Sequence, residues 1–150
     1  MFIFEKSVII NCSIDKVFDF HSDVDNLVKL SEYGSMKVRI VSVNLPLNKG
    51  SEILLSVKQF GILKISWLLQ IEKFERPYLF SDTQLKGPFK KWKHEHRFES
   101  IGDSTKNTDR IEYEMPFGFL GKIAHSLFVR KRIEKLFEFR HKLVKELLEE

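Results

Sequence analysis

Trp92-Lys93-His94-Glu95-His96-Arg97-Phe98 alternates between two kinds of side chain. A strand has a side-chain period of two, which places Trp92, His94, His96 and Phe98 on one face. Lys91, Lys93, Glu95, Arg97 and Glu99 fall on the other face, which is expected to be wet. The first face is aromatic yet carries two imidazoles, and a plain hydrophobic core has no need of those. An apolar wall with a few placed polar groups is what a small-molecule pocket requires.

Further strands lie to either side. Leu63, Ile65, Trp67, Leu69 and Ile71 alternate with Lys64, Ser66, Gln70 and Glu72. Ile53, Leu55 and Val57 begin a strand that ends near Phe60-Gly61, and Met36 to Val43 alternates apolar and basic residues. Pro46, Asn48 and Gly50 punctuate the turn between those two. A strand runs from Pro77 to about Leu85, and Gly87-Pro88 turns the chain into the Trp92 strand. Beyond a polar turn from Gly102 to Asn107, Ile111, Tyr113 and Met115 form one face of the last strand. At the N-terminus, Phe2 to Ile10 alternates as a strand. Ser13 offers an N-cap oxygen and Asp15 a first-turn negative charge. Val17, Phe18, Phe20 and His21, then Val24, Leu27, Val28 and Leu30, predict one or two short amphipathic helices.

From Phe119 the apolar period changes to about 3.6, with Leu120, Ile123, Ala124, Leu127, Ile133, Leu136, Phe137, Val144 and Leu147 on one stripe. About 30 residues at 1.5 Å each give a rod of roughly 45 Å, long enough to cross a domain. A strand, short helices, a run of antiparallel strands and one long helix predict an α+β fold with the helix on one face of the sheet. No repeat or linker interrupts this order, so a single domain is expected over residues 1–150.

Composition excludes several classes. A hydrophobic share of 43% and a charged share of 31% describe an ordinary globular chain. The 14 Phe suit a large interior lined with flat groups. One cysteine, Cys12, rules out a disulfide framework and a multi-cysteine metal site. The charged start of the chain is unlike a signal peptide, and no apolar run reaches the ~20 residues of a membrane span. A cytoplasmic protein is expected. The last segment, from Phe119, holds eight Lys or Arg against five Glu, within a net charge of +4. Such a segment can attract phosphates or an anionic membrane. Because its acids are interspersed, it reads more simply as the solvated face of a long helix. Nucleic acid is not an expected partner, since the aromatics lie opposite the charges rather than among them.

The chain also resembles a known family. Asp82-Thr83-Gln84, Gly87-Pro88-Phe89, Trp92 to Phe98, Asp109, Tyr113, Pro116-Phe117-Gly118 and Phe137-Glu138-Phe139-Arg140 look like the signature of the bacterial ligand-binding SRPBCC family. Val17-Phe18-Asp19-Phe20-His21 with Asn26-Leu27 matches as well. That family is related to START lipid-transfer domains, pollen-allergen-like proteins and aromatic polyketide cyclases. The resemblance implies a helix-grip fold: a curved antiparallel sheet wrapped around a long C-terminal helix, with two short N-terminal helices and an internal cavity. It implies a hydrophobic or amphipathic small-molecule ligand and no particular reaction. Glu32-Tyr33-Gly34 departs from it, standing where relatives often carry a proline, at the predicted pocket mouth.

The candidate ligand-binding residues are Trp67, Trp92, Phe98 and Met115 as apolar walls, with Gln84, His94, His96 and Tyr113 orienting polar atoms. His94 and His96 would have Cα atoms about 6.5 to 7 Å apart, usable geometry for zinc. A metal needs a third ligand, for which Asp82 or Gln84 is nearest, and no HExxH or cysteine cluster accompanies the pair. Fixed hydrogen bonds to each other, to Gln84, to Tyr113 or to a ligand are the preferred role, with no metal and no cofactor. No nucleophile–base–orienter set stands out, and Gly118 and Gly121 read as a hinge into the helix. The expected function is binding of a small molecule between sheet and helix. The alternatives are a cyclase or dehydratase in the same cavity, or a lipid-transfer protein whose basic helix docks on membrane.

Overall fold

The computed structural model describes residues 1–149, so Glu150, one of the acids counted above, lies outside the described residues. Strand β1 (Phe2–Ile10) leads into helices α1 (Ile14–Ser22) and α2 (Val24–Ser31). Six strands follow: β2 (Lys37–Val43), β3 (Glu52–Gln59), β4 (Leu63–Glu75), β5 (Leu79–Lys86), β6 (Lys91–Ile101) and β7 (Ser104–Glu114). They form one antiparallel sheet in the order β1-β7-β6-β5-β4-β3-β2. The last strand therefore pairs with the first, and α1 and α2 carry the chain to the opposite edge. Helix α3 (Gly118–Ala124), a π turn (His125–Val129) and α4 (Arg130–Leu148) run on without a break and complete the helix-grip fold.

Ser13 stands at the N-cap of α1 but its side chain makes no capping bond; the cap that forms is at α2, where Asp23 accepts from the Asp25 N–H at 2.9 Å. The β6 alternation holds on its inner face. On its outer face one residue departs from expectation: Glu95 is buried, because Arg97 pairs with it across the strand surface.

The long helix corrects the sequence reading more substantially. Its packed face steps by four, through Gly121, His125, Val129, Ile133, Phe137 and His141. In a 3.6-residue helix such steps drift around the axis, and the wider π turn takes up part of that drift. The predicted stripe is consequently rotated away over its first half, leaving Leu120 70% and Leu127 60% exposed. Ile133, Phe137 and Val144 remain buried, as the period predicts.

Gly121 lets this helix reach the sheet. A Cβ there would overlap the Pro116 carbonyl oxygen and meet the Met115 Cβ at 3.1 Å. Gly-to-Ala ordinarily stabilises a helix interior by up to about 1 kcal/mol. Here Gly121→Ala is expected instead to cost about 1–3 kcal/mol, as overpacking does, read as a lower guanidinium midpoint at unchanged slope. A raised midpoint would show that the helix start is free to shift.

Two cores lie between sheet and helices. One is closed: Phe18 of α1, fully buried, meets Phe74, Phe80 and Phe98 edge-on with centroids 5.4 to 5.6 Å apart. Ile10, Val17 and Val144 complete it. The other, around Leu55, Trp92, Ile111 and Phe137, is incompletely filled.

Candidate functional site

The incompletely filled core holds a cavity of two adjoining lobes. The outer lobe, about 260 Å³, lies among Trp67, Phe89, Trp92, Met115, Val129 and Ile133. The inner lobe, about 100 Å³, is bounded by Leu55, Leu69 and Phe137 and by five polar side chains, Ser31, Asp82, His94, His96 and Arg140. Met36, Val57, Trp67, Trp92 and Leu136 line both, so the two lobes adjoin. The lining is apolar near the β5–β6 turn, although Gln59 and Arg132 also border the outer lobe, and polar side chains gather where β5, β6 and α4 face one another.

Sheet register builds the polar end. Asp82 pairs with His94 across β5 and β6, and His96 pairs with Asp109 across β6 and β7. The inward row of β7 is Thr105, Asn107, Asp109, Ile111 and Tyr113. Asp109 is the centre of the cluster. His94 Nε2–H donates to its Oδ1 at 2.8 Å and His141 Nε2–H to its Oδ2 at 2.6 Å. His96 Nδ1 lies 3.1 Å from the same Oδ1. On the other side His96 Nε2 is 3.8 Å from Asp82. Of the partners expected for the imidazoles, Gln84 and Tyr113 are not met, and two carboxylates stand in their place.

Burial and pairing set the charges. Burial disfavours an ionised Asp109, yet its bonds to His141, His94 and His96 outweigh this and hold its pKa well below the ordinary carboxylate value. His94 is lowered to about 4, first by burial and then by repulsion from His96. His96 feels the same burial, but hydrogen bonding and attraction from Asp109 and Asp82 raise it above the ordinary histidine value. The proton of the pair therefore belongs on His96. His21 is lowered to about 4 by burial, and its Nδ1–H donates to the Val17 carbonyl at 2.7 Å. Arg140 donates to the Leu30 carbonyl at 2.8 Å and the Ser31 hydroxyl at 2.9 Å, and its guanidinium stacks 4.8 Å from the Phe137 ring centre. Burial pulls Arg140 below the usual arginine value, against the attraction of Asp109 and Asp82.

The sequence-predicted residues divide by place. Trp67, Trp92 and Met115 wall the outer lobe, and His94 and His96 line the inner one. Phe98 lies in the closed core beneath α1, because one strand cannot face both the cavity and the Phe18 ring with the same residue. Gln84 is spent on the β5–β6 turn, donating to the Phe89 carbonyl at 2.7 Å and accepting from its N–H at 3.3 Å. The Tyr113 hydroxyl shares a 2.6 Å hydrogen bond with His125 of the π turn, which ties it to the helix. Asp82, named as a third donor for a metal, does meet the imidazoles. Asp82, His94 and His96 offer ligand atoms within 4.8 Å of one another, spacing that a divalent cation can use.

His21, His125, His141 and Arg140 were not singled out as site residues. Extending the β7 alternation back from Ile111 would have placed Asp109 and Asn107 inward. His141, four residues beyond Phe137, shares its helix face. No local pattern pairs either with β6.

Among the described residues no helix is long and apolar enough to cross a membrane. The comparisons with known proteins agree with this architecture. Protein CV1439 from Chromobacterium violaceum superposes with a TM-score of 0.79 at 9% identity, covering 100% of this chain and 99% of that one. A START superfamily protein from Mycobacterium smegmatis gives 0.70 at 16% identity, covering 97% and 98%. Ara h 8.0201 gives 0.67 at 16% identity, covering 95% and 97%. At these identities the likeness is one of fold. No curated protein matches. The family model described as "Polyketide cyclase / dehydrase and lipid transport" matches residues 10–138, and the chain belongs to that family, a branch of the SRPBCC superfamily whose fold serves hydrophobic ligands.

Proposed function

We propose that the protein binds a small amphipathic molecule, its apolar body in the outer lobe and its polar head among Asp82, His94, His96 and Arg140. The observation that carries this reading is the difference in lining between two adjoining lobes that share five residues. Two indoles and a phenylalanine at one end favour an aromatic or aliphatic body. A protonated His96 and an arginine favour a carboxylate, sulfonate or carbonyl head, while Asp82 accepts from a hydroxyl. Space of this order is at the small end of known ligand pockets, about 300–1,000 Å³.

The test uses 1-anilinonaphthalene-8-sulfonate, which has an aromatic body and an anionic head. The native protein is expected to bind it with unit stoichiometry and to lose it in Leu136→Trp, which fills the junction of the lobes from a partly exposed helix position. Arg140→Met is expected to weaken it about tenfold, the loss of one charge-assisted hydrogen bond. Circular dichroism on each variant separates loss of binding from loss of fold. Equal binding by Leu136→Trp would sink the cavity reading. Native mass spectrometry of freshly purified protein supplies the second arm. A retained organic molecule supports the reading, and an increment of one zinc would instead give Asp82, His94 and His96 to a metal.

Cyclase or dehydratase chemistry is a second reading, favoured by one observation: His96 lies at the cavity wall with its pKa raised by Asp109 and Asp82, placed to give a proton to a bound carbonyl. It requires a bell-shaped pH–rate profile that His96→Gln abolishes. A ligand recovered chemically unchanged after long incubation would count against it.

A further inference from the structure

The half of the long helix whose apolar residues face outward lies beside the mouth of the cavity. Leu127 and Phe128 of the π turn share a surface groove with Phe60 and Leu63 of the β3–β4 hairpin, and Tyr33 and Arg132 belong both to this groove and to the outer lobe. Phe128 is 70% exposed and Phe60 66%. Ile62 at the hairpin tip and Phe119 and Leu120 at the helix start are exposed as well. Scattered apolar residues on a surface are ordinary, but a contiguous patch marks something it meets. Phe60 of the groove, and Phe117 at the start of the helix, are also held in backbone conformations that bulky side chains avoid. Phe60 has φ 54° and Phe117, exposed just before α3, has φ 65°. A glycine would relieve either position, so the rings are kept at the tips of their turns against a local cost.

Charge identifies the partner. The β3–β4 hairpin from Lys58 to Lys64, the β5–β6 turn from Lys86 to Lys91 and the helix from Phe117 to Lys135 contain one acid among them, Glu134. Among the described residues, Arg130 pairs with Glu134 and Lys90 with Glu114, while Lys64, Lys122, Lys131 and Lys135 have no carboxylate partner. A second copy of this chain meeting the patch about a twofold axis would set this basic belt against itself. An anionic bilayer takes both halves of the surface, apolar side chains into the acyl boundary and lysines onto the headgroups.

We propose that this end of the molecule docks on anionic membrane, with Phe60, Ile62, Phe119, Leu120, Leu127 and Phe128 inserted at the interface and the cavity mouth turned toward the lipid. The proposal stands on the surface alone and does not depend on which ligand the cavity holds. The test is co-sedimentation of the full chain with phosphatidylcholine vesicles and with vesicles containing phosphatidylglycerol, at low and high salt. Binding to the anionic vesicles that weakens with salt is expected. Phe60→Ser with Phe128→Ser, both exposed and hence harmless to the fold, should reduce it about tenfold or more, as should Lys131→Glu with Lys135→Glu. Retained binding of 1-anilinonaphthalene-8-sulfonate in these variants shows the cavity intact and keeps this test separate from that of the ligand. No binding to either vesicle, or equal binding to both regardless of salt, overturns the proposal. So does a stable dimer in sedimentation equilibrium that the Phe variants dissociate.

Discussion

Asp109→Asn is expected to cost about 3–5 kcal/mol, the typical loss when one member of a buried charged cluster is removed and its partners are left behind. Asp109 is 3% exposed, accepts from His94 and His141, and lies 3.1 Å from His96 Nδ1. Asparagine keeps the shape but turns an NH₂ toward one of the two imidazole N–H groups that donate to Oδ1 and Oδ2, and it removes the charge that favours a proton on His96. For a chain of this size the loss corresponds to a fall of roughly 10 °C in Tm. The pKa of His96 should fall in the same variant, since Asp109 supplies much of what raises it. Guanidinium unfolding and an NMR titration of the His96 ring read the two effects independently. A cost below about 1 kcal/mol, the range of ordinary surface substitutions, would mean that the cluster is not a closed unit. The same logic bears on His94→Ala with His96→Ala. With Asp109 now shown beneath both rings, that pair of substitutions should also destabilise the protein.

The second large effect is the dependence of stability on pH. His21 and His94 have folded pKa values of about 4 against an ordinary 6.5. Between those values the unfolded chain takes up protons on both groups that the folded chain refuses. Stability therefore falls as pH drops from 6.5 toward 4, by about 1.4 kcal/mol per pH unit for each group at full effect. His96 acts in the opposite sense. Its raised pKa contributes stability that is fully present below the unfolded value of 6.5 and is lost as pH rises through its folded value. Asp109 contributes stability present above the unfolded carboxylate range and lost as pH falls through its depressed pKa. A maximum near neutrality is expected, with a steep acid limb. Unfolding midpoints from pH 4 to 9 at constant ionic strength would trace it, and His21→Leu should flatten the acid limb by one proton's worth. A level profile between pH 4 and 6.5 would show that both imidazoles are reached by water.

Much of the architecture is legible in local pattern because its physics is local. The alternation of β6 placed Trp92, His94, His96 and Phe98 on one inner face, and they are all there. The change of period after Phe119 announced the helix, and the order of elements announced a sheet gripping it. The face of that helix was legible only where large apolar residues occupy it, at Ile133, Phe137 and Val144. Before Arg130 the packed positions are Gly121, His125 and Val129, two of them residues that hydrophobic counting passes over. There the apolar residues, Leu120, Ile123 and Leu127, point outward.

Sequence by itself determined which side of most strands is inner, that a run of strands precedes one long helix, and that imidazoles would meet an aromatic wall. Those follow from periods of two and 3.6 residues acting within one segment. Only the tertiary structure decided that Phe98 closes the core while Trp92 opens onto the cavity, since the depth of a residue along the strand depends on where α1 sits. It decided also that Asp109 and Asp82, rather than Gln84 or Tyr113, hold the imidazoles, through the registers of β5, β6 and β7 and the approach of His141 from α4. Partners separated by 15 and 32 residues along the chain meet only when sheet and helix close, and no local period encodes that meeting.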